Sequence, residues 1–216
     1  MNMGLFDQAT NLFDMFVSND QSEEQKTLAN RAGLSSSDFS KVAALGLPAI
    51  LQGINRNTND EAGNEAFNSA LKQHEDVDQY QSIKQLSSDV DTQDGDNILG
   101  HIFGNKDGVT NRISNTVGLS SADVKKVLVL LAPIVMKYFA DRKKEKNLDN
   151  TGVQQETGSI LGQLSNSVKS YSKNNSSSFD MGGILGGLFG NDSSKGTTDT
   201  KQEDDGLLDN VLDMFK

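Results

Sequence analysis

The chain contains no cysteine and no tryptophan, and it has only two prolines and two histidines among 216 residues. Without cysteine, disulfide bonds, thiolate metal sites and catalysis by a cysteine nucleophile are excluded. The two histidines, His74 and His101, show no motif spacing, and a zinc site needs three or four ligands. We therefore predict no catalytic residues, no metal and no cofactor.

Positive charge is also scarce. The chain has 20 Lys and Arg against 30 Asp and Glu, a net charge of −10. Proteins that bind DNA or RNA usually carry a basic patch, because neutralising phosphates dominates their affinity. The one basic run, residues 142–146, follows an apolar helix, where cations suit the negative end of the helix dipole. The charge balance therefore disfavours nucleic acid as a partner.

Long apolar runs are missing as well, since no run approaches the ~20 residues needed to cross a bilayer. Residues 1–7 lack the basic region and the cleavage site of a signal peptide. Gly4 is not followed by the Ser or Thr of a myristoylation motif, because Gln8 stands there. A soluble, cytoplasmic protein without a membrane span is expected.

Two motifs occur twice in the sequence. Residues 118–136 resemble residues 33–51, an offset of 85 positions (118 minus 33). The Ile-Leu-Gly-His-Ile-Phe-Gly-Asn stretch at 98–105 returns as Ile-Leu-Gly-Gly-Leu-Phe-Gly-Asn at 184–191, an offset of 86 (184 minus 98). Similar motifs in the same order and at the same spacing predict an internal duplication of a helical unit.

The first repeated motif has the pattern of a helix start. Ser120 suits the N-cap, and Asp123 suits the third position, where its carboxylate could reach back to the N–H of the cap. Ser35 and Asp38 repeat this capping box in the first copy. The helix after Ser120 is apolar on nearly every side, which predicts a buried core helix.

Pro48 and Pro133 are the chain's prolines, and they lie at the same position in the two repeated helices. Proline removes one backbone donor and collides with the carbonyl four residues earlier, so a kink is predicted in each helix. We interpret the kinks as bends around the core, with a mechanical hinge as the alternative.

Helical periodicity runs along much of the chain, and sustained strand-type alternation is missing, so the predicted fold class is all-α. The predicted helices cover residues 3–17, 25–32, about 35–55, about 61–73, about 77–86, the segment carrying 98–105, the apolar helix from 120 onward, and about 153–171. The predicted organisation is an N-terminal amphipathic helix and linker at 1–24, helical repeat units at 25–105 and 106–172, a Gly/Ser/Asp-rich linker with a short helix at 173–205, and a C-terminal amphipathic helix at 206–216.

The acidic stretch at residues 89–96 resembles a calcium loop only superficially. Counted from Asp89, an EF-hand would place Gly at position 94 and Glu at position 100, but these are Asp94 and Gly100. We interpret the stretch as a loop that ends in the N-cap of the next helix, where carboxylates are favoured.

Both ends of the chain carry an apolar stripe on a helical pattern, and the two ends resemble each other. Residues 11–16 read Asn-Leu-Phe-Asp-Met-Phe, and residues 210–215 read Asn-Val-Leu-Asp-Met-Phe. Such a stripe has to be buried against the chain's own core, another copy or a different protein. The candidate interaction residues are Leu5, Phe6, Leu12, Phe13 and Phe16 in the head, and Leu207, Leu208, Val211, Leu212 and Phe215 in the tail.

Several segments together resemble a bacterial family, that of the domain of unknown function 937, which includes the YidB-like proteins. They are Leu-Pro-Ala-Ile-Leu-Gln-Gly at 47–53, Ile-Leu-Gly-His-Ile-Phe-Gly at 98–104 and Leu-Ala-Pro-Ile-Val-Met at 131–136, within a resemblance over residues 3–165. The resemblance implies a compact, all-helical domain whose packing has been compared with that of homeodomains. It implies no activity and no catalytic residues.

Three functions follow as hypotheses. The favoured one is a non-enzymatic interaction or scaffold protein that self-associates through apolar helix faces, because the duplicated unit and the terminal stripes support it. A homeodomain-like nucleic-acid-binding regulator is the alternative, against which the acidity counts. A hydrolase that uses Asp or Glu pairs is the third, although no pair has a spacing that dictates acid–base chemistry.

Overall fold

A computed structural model describes residues 12–18 and 22–174 of the chain. Within these ranges the chain is all-α, with helices and no strand, as predicted. A π-helical turn at Asp14–Ser18 comes first, and a 3-10 turn at Asp76–Gln79 follows the third α-helix. The α-helices are α1 Glu23–Ala32, α2 Ser36–Thr58, α3 Glu61–Lys72, α4 Ile83–Asp89, α5 Thr92–Phe103, α6 Lys106–Val117, α7 Ser121–Glu145 and α8 Asn150–Asn174.

Helix α7 lies at the centre of the described core. Every residue from Val127 to Asp141 is buried, because α1, α2, α3, α4, α5 and α6 all contact this helix. An α-helix with apolar residues on all sides can only be stable when other elements cover each side. The burial confirms the predicted core helix.

Helix α2 is the second core helix, and the residues from Val42 to Leu51 are buried without a break. Its contacts include α7, α8, α1, α3 and the head segment, which we define as residues 12–18. Gly46 allows α2 to approach α7 closely, since a Cβ there would lie 2.6 Å from Leu128 Cδ2. One cluster of buried residues therefore joins both predicted repeat units, 25–105 and 106–172.

The two corners that precede α2 and α7 have the same local geometry. Gly33 and Gly118 both have a φ of 72°, in the left-handed region that favours glycine. Ser35 and Ser120 each accept a hydrogen bond of 3.1 Å from the backbone N–H three residues later. Each predicted N-cap is confirmed.

One detail of the predicted capping boxes differs. The carboxylates of Asp38 and Asp123 accept hydrogen bonds from the serine hydroxyls, at 2.9 and 2.7 Å. Each carboxylate also pairs with a lysine three residues later, at 2.8 Å. Because the Asp side chain is one methylene shorter than Glu, the carboxylate accepts from the hydroxyl of the capping serine and not from its backbone N–H.

Helices α2 and α7 continue as α-helix through Pro48 and Pro133, both of which are buried. Each helix extends at least ten residues beyond its proline. The predicted kinks stay a prediction.

The helix predicted over residues 77–86 is wrong in its extent. The 3-10 turn at Asp76–Gln79 ends before α4 begins at Ile83, so two short elements replace one. Ser82 has extended backbone and accepts a hydrogen bond from Gln85 N at 3.1 Å, which makes it a helix N-cap. The Gln85 side chain accepts from Gln81 N at 2.9 Å and secures the new start. A capping serine in the middle of an apolar pattern thus divides the helix.

The predicted helix start in the acidic stretch is confirmed, but the predicted loop over residues 89–96 is wrong, because Asp89 ends α4 and α5 begins at Thr92. Asp91 is the N-cap of α5 and accepts hydrogen bonds from Gln93 N at 2.8 Å and Asp94 N at 3.4 Å. The helix therefore begins inside the stretch. Acidic side chains are stabilised there by the positive end of the helix dipole.

Helix α8 is attached to the core by polar contacts along its first turns. Glu156 accepts from Lys146 Nζ at 2.7 Å and pairs with Arg142 Nε at 3.5 Å. Thr157 and Thr58 lie 3.4 Å apart, oxygen to oxygen, and both are buried. These contacts place the N-terminal part of α8 beside the end of α2.

We expect Gly95→Ala to destabilise the fold strongly, because an added Cβ would lie 1.9 Å from the Val129 carbonyl oxygen. The collision is with backbone on the central helix, so the expected loss is ~3 kcal/mol of unfolding free energy or more. Urea denaturation followed by circular dichroism measures it.

Gly100→Ala in the same helix is the matched control, because nothing lies within 4 Å of its added Cβ. We expect it to be neutral or to stabilise the fold by up to ~1 kcal/mol, as alanine favours helix. Equal losses in both variants would contradict the close contact between α5 and α7.

Candidate functional site

The head segment packs into the core of its own chain. Leu12, Phe13 and Phe16 are buried, so these three predicted interaction residues are core residues here, while Asp14 is exposed. The segment lies against α1 and α2. An amphipathic pattern is satisfied by burying its apolar side and leaving its carboxylate in water.

Backbone carbonyls at the end of the head segment are captured by side chains. Ser22 donates to the Met15 carbonyl at 3.1 Å, and Gln25 donates to the Phe16 carbonyl at 3.4 Å. Gln25 is fully buried and also bonds Ser40. The last carbonyls of a helix have no partner within it, so these donors fix where the segment ends.

The other candidate interaction residues lie outside the described residues. They are Leu5, Phe6, Leu207, Leu208, Val211, Leu212 and Phe215. The second copy of the 98–105 motif, at 184–191, also lies outside them.

A groove opens between the end of α2, α3, α5 and the start of α6. Two adjoining cavities of about 560 Å³ and about 440 Å³ form it, and they share Arg56, Asn57, His101 and Ile102 as lining residues. We call this surface the α2–α5 groove. Its floor consists of buried apolar side chains, namely Ile54, Phe67, Ile98 and Met136.

Close packing of α5 on α2 forms one wall of the groove. Gly53 makes this possible, because a Cβ there would lie 2.4 Å from Ile102 Cγ2. Asn57 donates to the carbonyls of His101 and Ile102 at 3.2 and 3.3 Å, which ties the end of α5 to α2. The repeated motif at 98–105 thus contributes the wall.

The rim of the α2–α5 groove carries two arginines, whereas the chain as a whole is acidic. Arg56, His101 and Arg112 are exposed lining residues, and Asp60 is the acidic one. An apolar floor with positive charges at its edge suits an amphipathic helix that carries carboxylates on its polar side. The groove is therefore suited to an apolar helix face that has carboxylates beside it.

No pattern in the sequence predicts the α2–α5 groove. The repeated 98–105 motif suggests close helix packing at its glycines, and this expectation is wrong, because an added Cβ at Gly100 or Gly104 would have no neighbour within 4 Å. Arg56 and Arg112 lie 56 positions apart (112 minus 56), and no local pattern links them. Only the approach of α5 to α2 brings them to one surface.

A second polar group lies where α5 and α7 meet the 3-10 turn. His74 is buried, and its Nδ1 lies 3.8 Å from Asp94 Oδ2. Lys137 of α7 is largely buried, pairs with Asp76, and lies 5.0 Å above the Tyr80 ring. The buried ammonium is stabilised by one carboxylate and one aromatic face.

Burial lowers the pKa of His74, and the Lys137 cation acts in the same direction against the carboxylates of Asp94 and Asp76. Burial also raises the pKa of the Tyr138 hydroxyl on α7. Both groups are thus held in their neutral forms.

Residues 12–18 and 22–174 contain no group of three or more His, Asp or Glu side chains that could hold a metal ion. No helix within the same ranges is long and apolar enough to span a membrane.

We expect acid to destabilise the fold partly through His74. Because its pKa in the folded chain lies below the ordinary value of 6.5, protonation favours the unfolded chain. The contribution of the neutral His74 to the free energy of unfolding is complete above pH 6.5. It is lost as the pH falls from 6.5 towards the lower pKa of the folded chain. His74→Gln should therefore show a smaller drop in urea midpoint between pH 7.5 and pH 5 than the natural chain.

His101→Gln is the control, because His101 is exposed. It should keep the pH dependence of the natural chain. A His74→Gln variant that loses stability in parallel with the natural chain would show that His74 is not the sensitive group.

Comparison with known proteins connects the chain to one family. A family model described as a bacterial protein of unknown function, the domain of unknown function 937, matches residues 14–142. These residues extend from the head segment to the C-terminal part of α7. No curated protein matches the chain, and no solved structure matches it.

Proposed function

Because the chain belongs to the bacterial family of the domain of unknown function 937, which has no assigned activity, we propose a function from the surface itself. We propose a non-enzymatic protein-interaction or scaffold protein of the cytoplasm that self-associates through apolar helix faces. The observation that carries this proposal is the α2–α5 groove, with its apolar floor and its cationic rim.

The physical reason is that apolar side chains on the groove walls are accessible to solvent. Ala66 is exposed, and Ala70 and Ile102 are half-buried on the groove walls. Covering such surface with another apolar face gains roughly 25 cal/mol for each Å² removed from water. A helix with a single apolar stripe is the partner shape that a groove between helices accepts.

The tail sequence supplies a face of this kind. Its stripe consists of Leu207, Leu208, Val211, Leu212 and Phe215, and Asp209 and Asp213 lie between them. Apolar and acidic residues in this order are complementary to the groove in both properties. The same chain thus carries a surface and a matching segment, which supports self-association.

The duplication of a helical unit belongs to this proposal too. Two observations support it, the equal geometry at Gly33 and Gly118 and the matching caps at Ser35 and Ser120. A unit that arose by self-pairing and fusion would retain a tendency to pair.

Equal losses of stability, about 1 kcal/mol each, in Ser35→Ala and Ser120→Ala would agree with two equivalent corners.

We expect the full chain to exceed the monomer mass of 23.3 kDa in size-exclusion chromatography with light scattering at micromolar concentration. Leu208→Asp with Leu212→Asp should return it to the monomer, because two carboxylates on the stripe cannot be buried without a large cost.

The control is Asp213→Asn, which changes the polar side of the same segment and removes only one charge. It should keep most of the association. A natural chain that is monomeric up to about 100 µM, which would correspond to a dissociation free energy below about 5.5 kcal/mol, would overturn the proposed self-association.

A further inference from the structure

The α2–α5 groove and the tail together point to a specific contact. We infer that the groove of one copy binds residues 206–215 of a second copy. This inference rests on the proposed self-association and adds the binding surface, the bound segment and the direction of exchange.

The head segment shows how this type of sequence is buried by this fold. In Asn-Leu-Phe-Asp-Met-Phe at 11–16, Leu12, Phe13 and Phe16 are buried while Asp14 is exposed. The tail repeats the pattern as Asn-Val-Leu-Asp-Met-Phe at 210–215. By the same division, Val211, Leu212 and Phe215 enter the groove, and Asp213 stays at its edge.

The head's own position in the core is not the place for the tail, because the head already fills it. Exchanging one for the other would expose Leu12, Phe13 and Phe16 to water. Lys216 would also replace the buried Val17 in such an exchange. Binding in the α2–α5 groove would expose no buried side chain, since the walls of the groove face solvent.

Charge complementarity favours the tail over an unrelated apolar helix. Four carboxylates lie in and just before the segment, namely Asp204, Asp205, Asp209 and Asp213. The rim offers the cations of Arg56 and Arg112. Opposite charges at the edge of an interface raise the association rate and fix the orientation of the helix.

A second copy supplies the tail under the proposed self-association, and α8 sets the distance between the groove and the end of its own chain's last described helix. The groove lies beside the N-terminal end of α8, where Asn64 donates to the Asn150 carbonyl at 3.1 Å and Gln154 donates to Asn59 at 3.3 Å. Helix α8 has 25 residues, so its far end lies about 37 Å from this point.

The connecting stretch at 175–205 would have to return over that whole length to reach its own groove. The 31 residues from 175 to 205 (205 minus 174) can span up to ~100 Å, so the isotope labels in the experiment below distinguish the chain's own groove from that of a second copy. A second copy in antiparallel orientation brings its groove to the tail directly. Twofold symmetry then gives two identical contacts, and the second forms at a high effective concentration.

Photo-crosslinking with isotope mixing tests the inference on the full chain. One chain carries p-benzoylphenylalanine in place of Phe215 and ordinary nitrogen, and the other has the natural sequence and is labelled with ¹⁵N. Equal amounts are unfolded in urea, refolded together and irradiated, and the crosslinked peptides are identified by mass spectrometry. We expect crosslinks to peptides of α3 and α5 that line the groove, in ¹⁵N and unlabelled form in comparable amounts.

A matched pair of charge variants tests the rim. Arg56→Glu with Arg112→Glu should lower the crosslink yield by about ten-fold, which corresponds to about 1.4 kcal/mol of binding free energy. Lys84→Glu removes an exposed cation on α4, outside the groove lining, and should leave the yield unchanged.

The remaining outcomes each overturn the inference. Groove crosslinks on unlabelled peptides alone would mean that the tail binds its own chain. Crosslinks to α1 and α2 around the head segment, or to no groove peptide, in a sample heavier than a monomer would reject the groove and leave the proposed self-association standing. A monomeric mass in the same sample would reject both.

Discussion

The close contact of α5 with α7 is the constraint on which the rest of the structure depends. The backbone of α5 approaches the central helix so closely at Gly95 that a single methyl group would meet the Val129 carbonyl. Helix α2 approaches α7 from another side at Gly46. Two helices can come this near to a third only where side chains are absent, and glycine supplies the space at the cost of helix propensity.

This packing determines where the α2–α5 groove lies. Its floor takes one side chain from each of four helices, namely Ile54 from α2, Phe67 from α3, Ile98 from α5 and Met136 from α7. The end of α5 is held by Asn57, which also lines the groove. The surface proposed to bind the tail is therefore built on buried side chains of the core, whereas its arginines are exposed at the rim.

Much of the fold can be predicted from the sequence, because the signals are local. The capping serines at 35 and 120 and the glycines before them mark helix ends by chemistry that acts over three or four residues. The uninterrupted apolar character of α7 predicts its burial for the same reason. The division at Ser82 was missed, since an apolar pattern around it outweighed one capping residue.

The groove could not be predicted in the same way. Arg56, His101 and Arg112 come from three helices, and only the tertiary approach of those helices gathers them. The head segment was predicted to be an interaction element, yet Leu12, Phe13 and Phe16 form part of the core. An amphipathic stripe predicts that a face will be buried, and it does not specify whether the covering surface belongs to the same chain.

The binding of the tail of one copy to the α2–α5 groove of another can be measured by mixing two variants, each of which lacks one of the two surfaces. One chain carries Leu212→Asp with Phe215→Asp and keeps its groove, and the other carries Ala66→Glu on the exposed groove wall and keeps its tail. Each variant should be a monomer alone, and the mixture should contain a heterodimer by light scattering, held by the one remaining contact. A mixture that stays monomeric although the natural chain associates, or a disabled chain that associates alone, would contradict it.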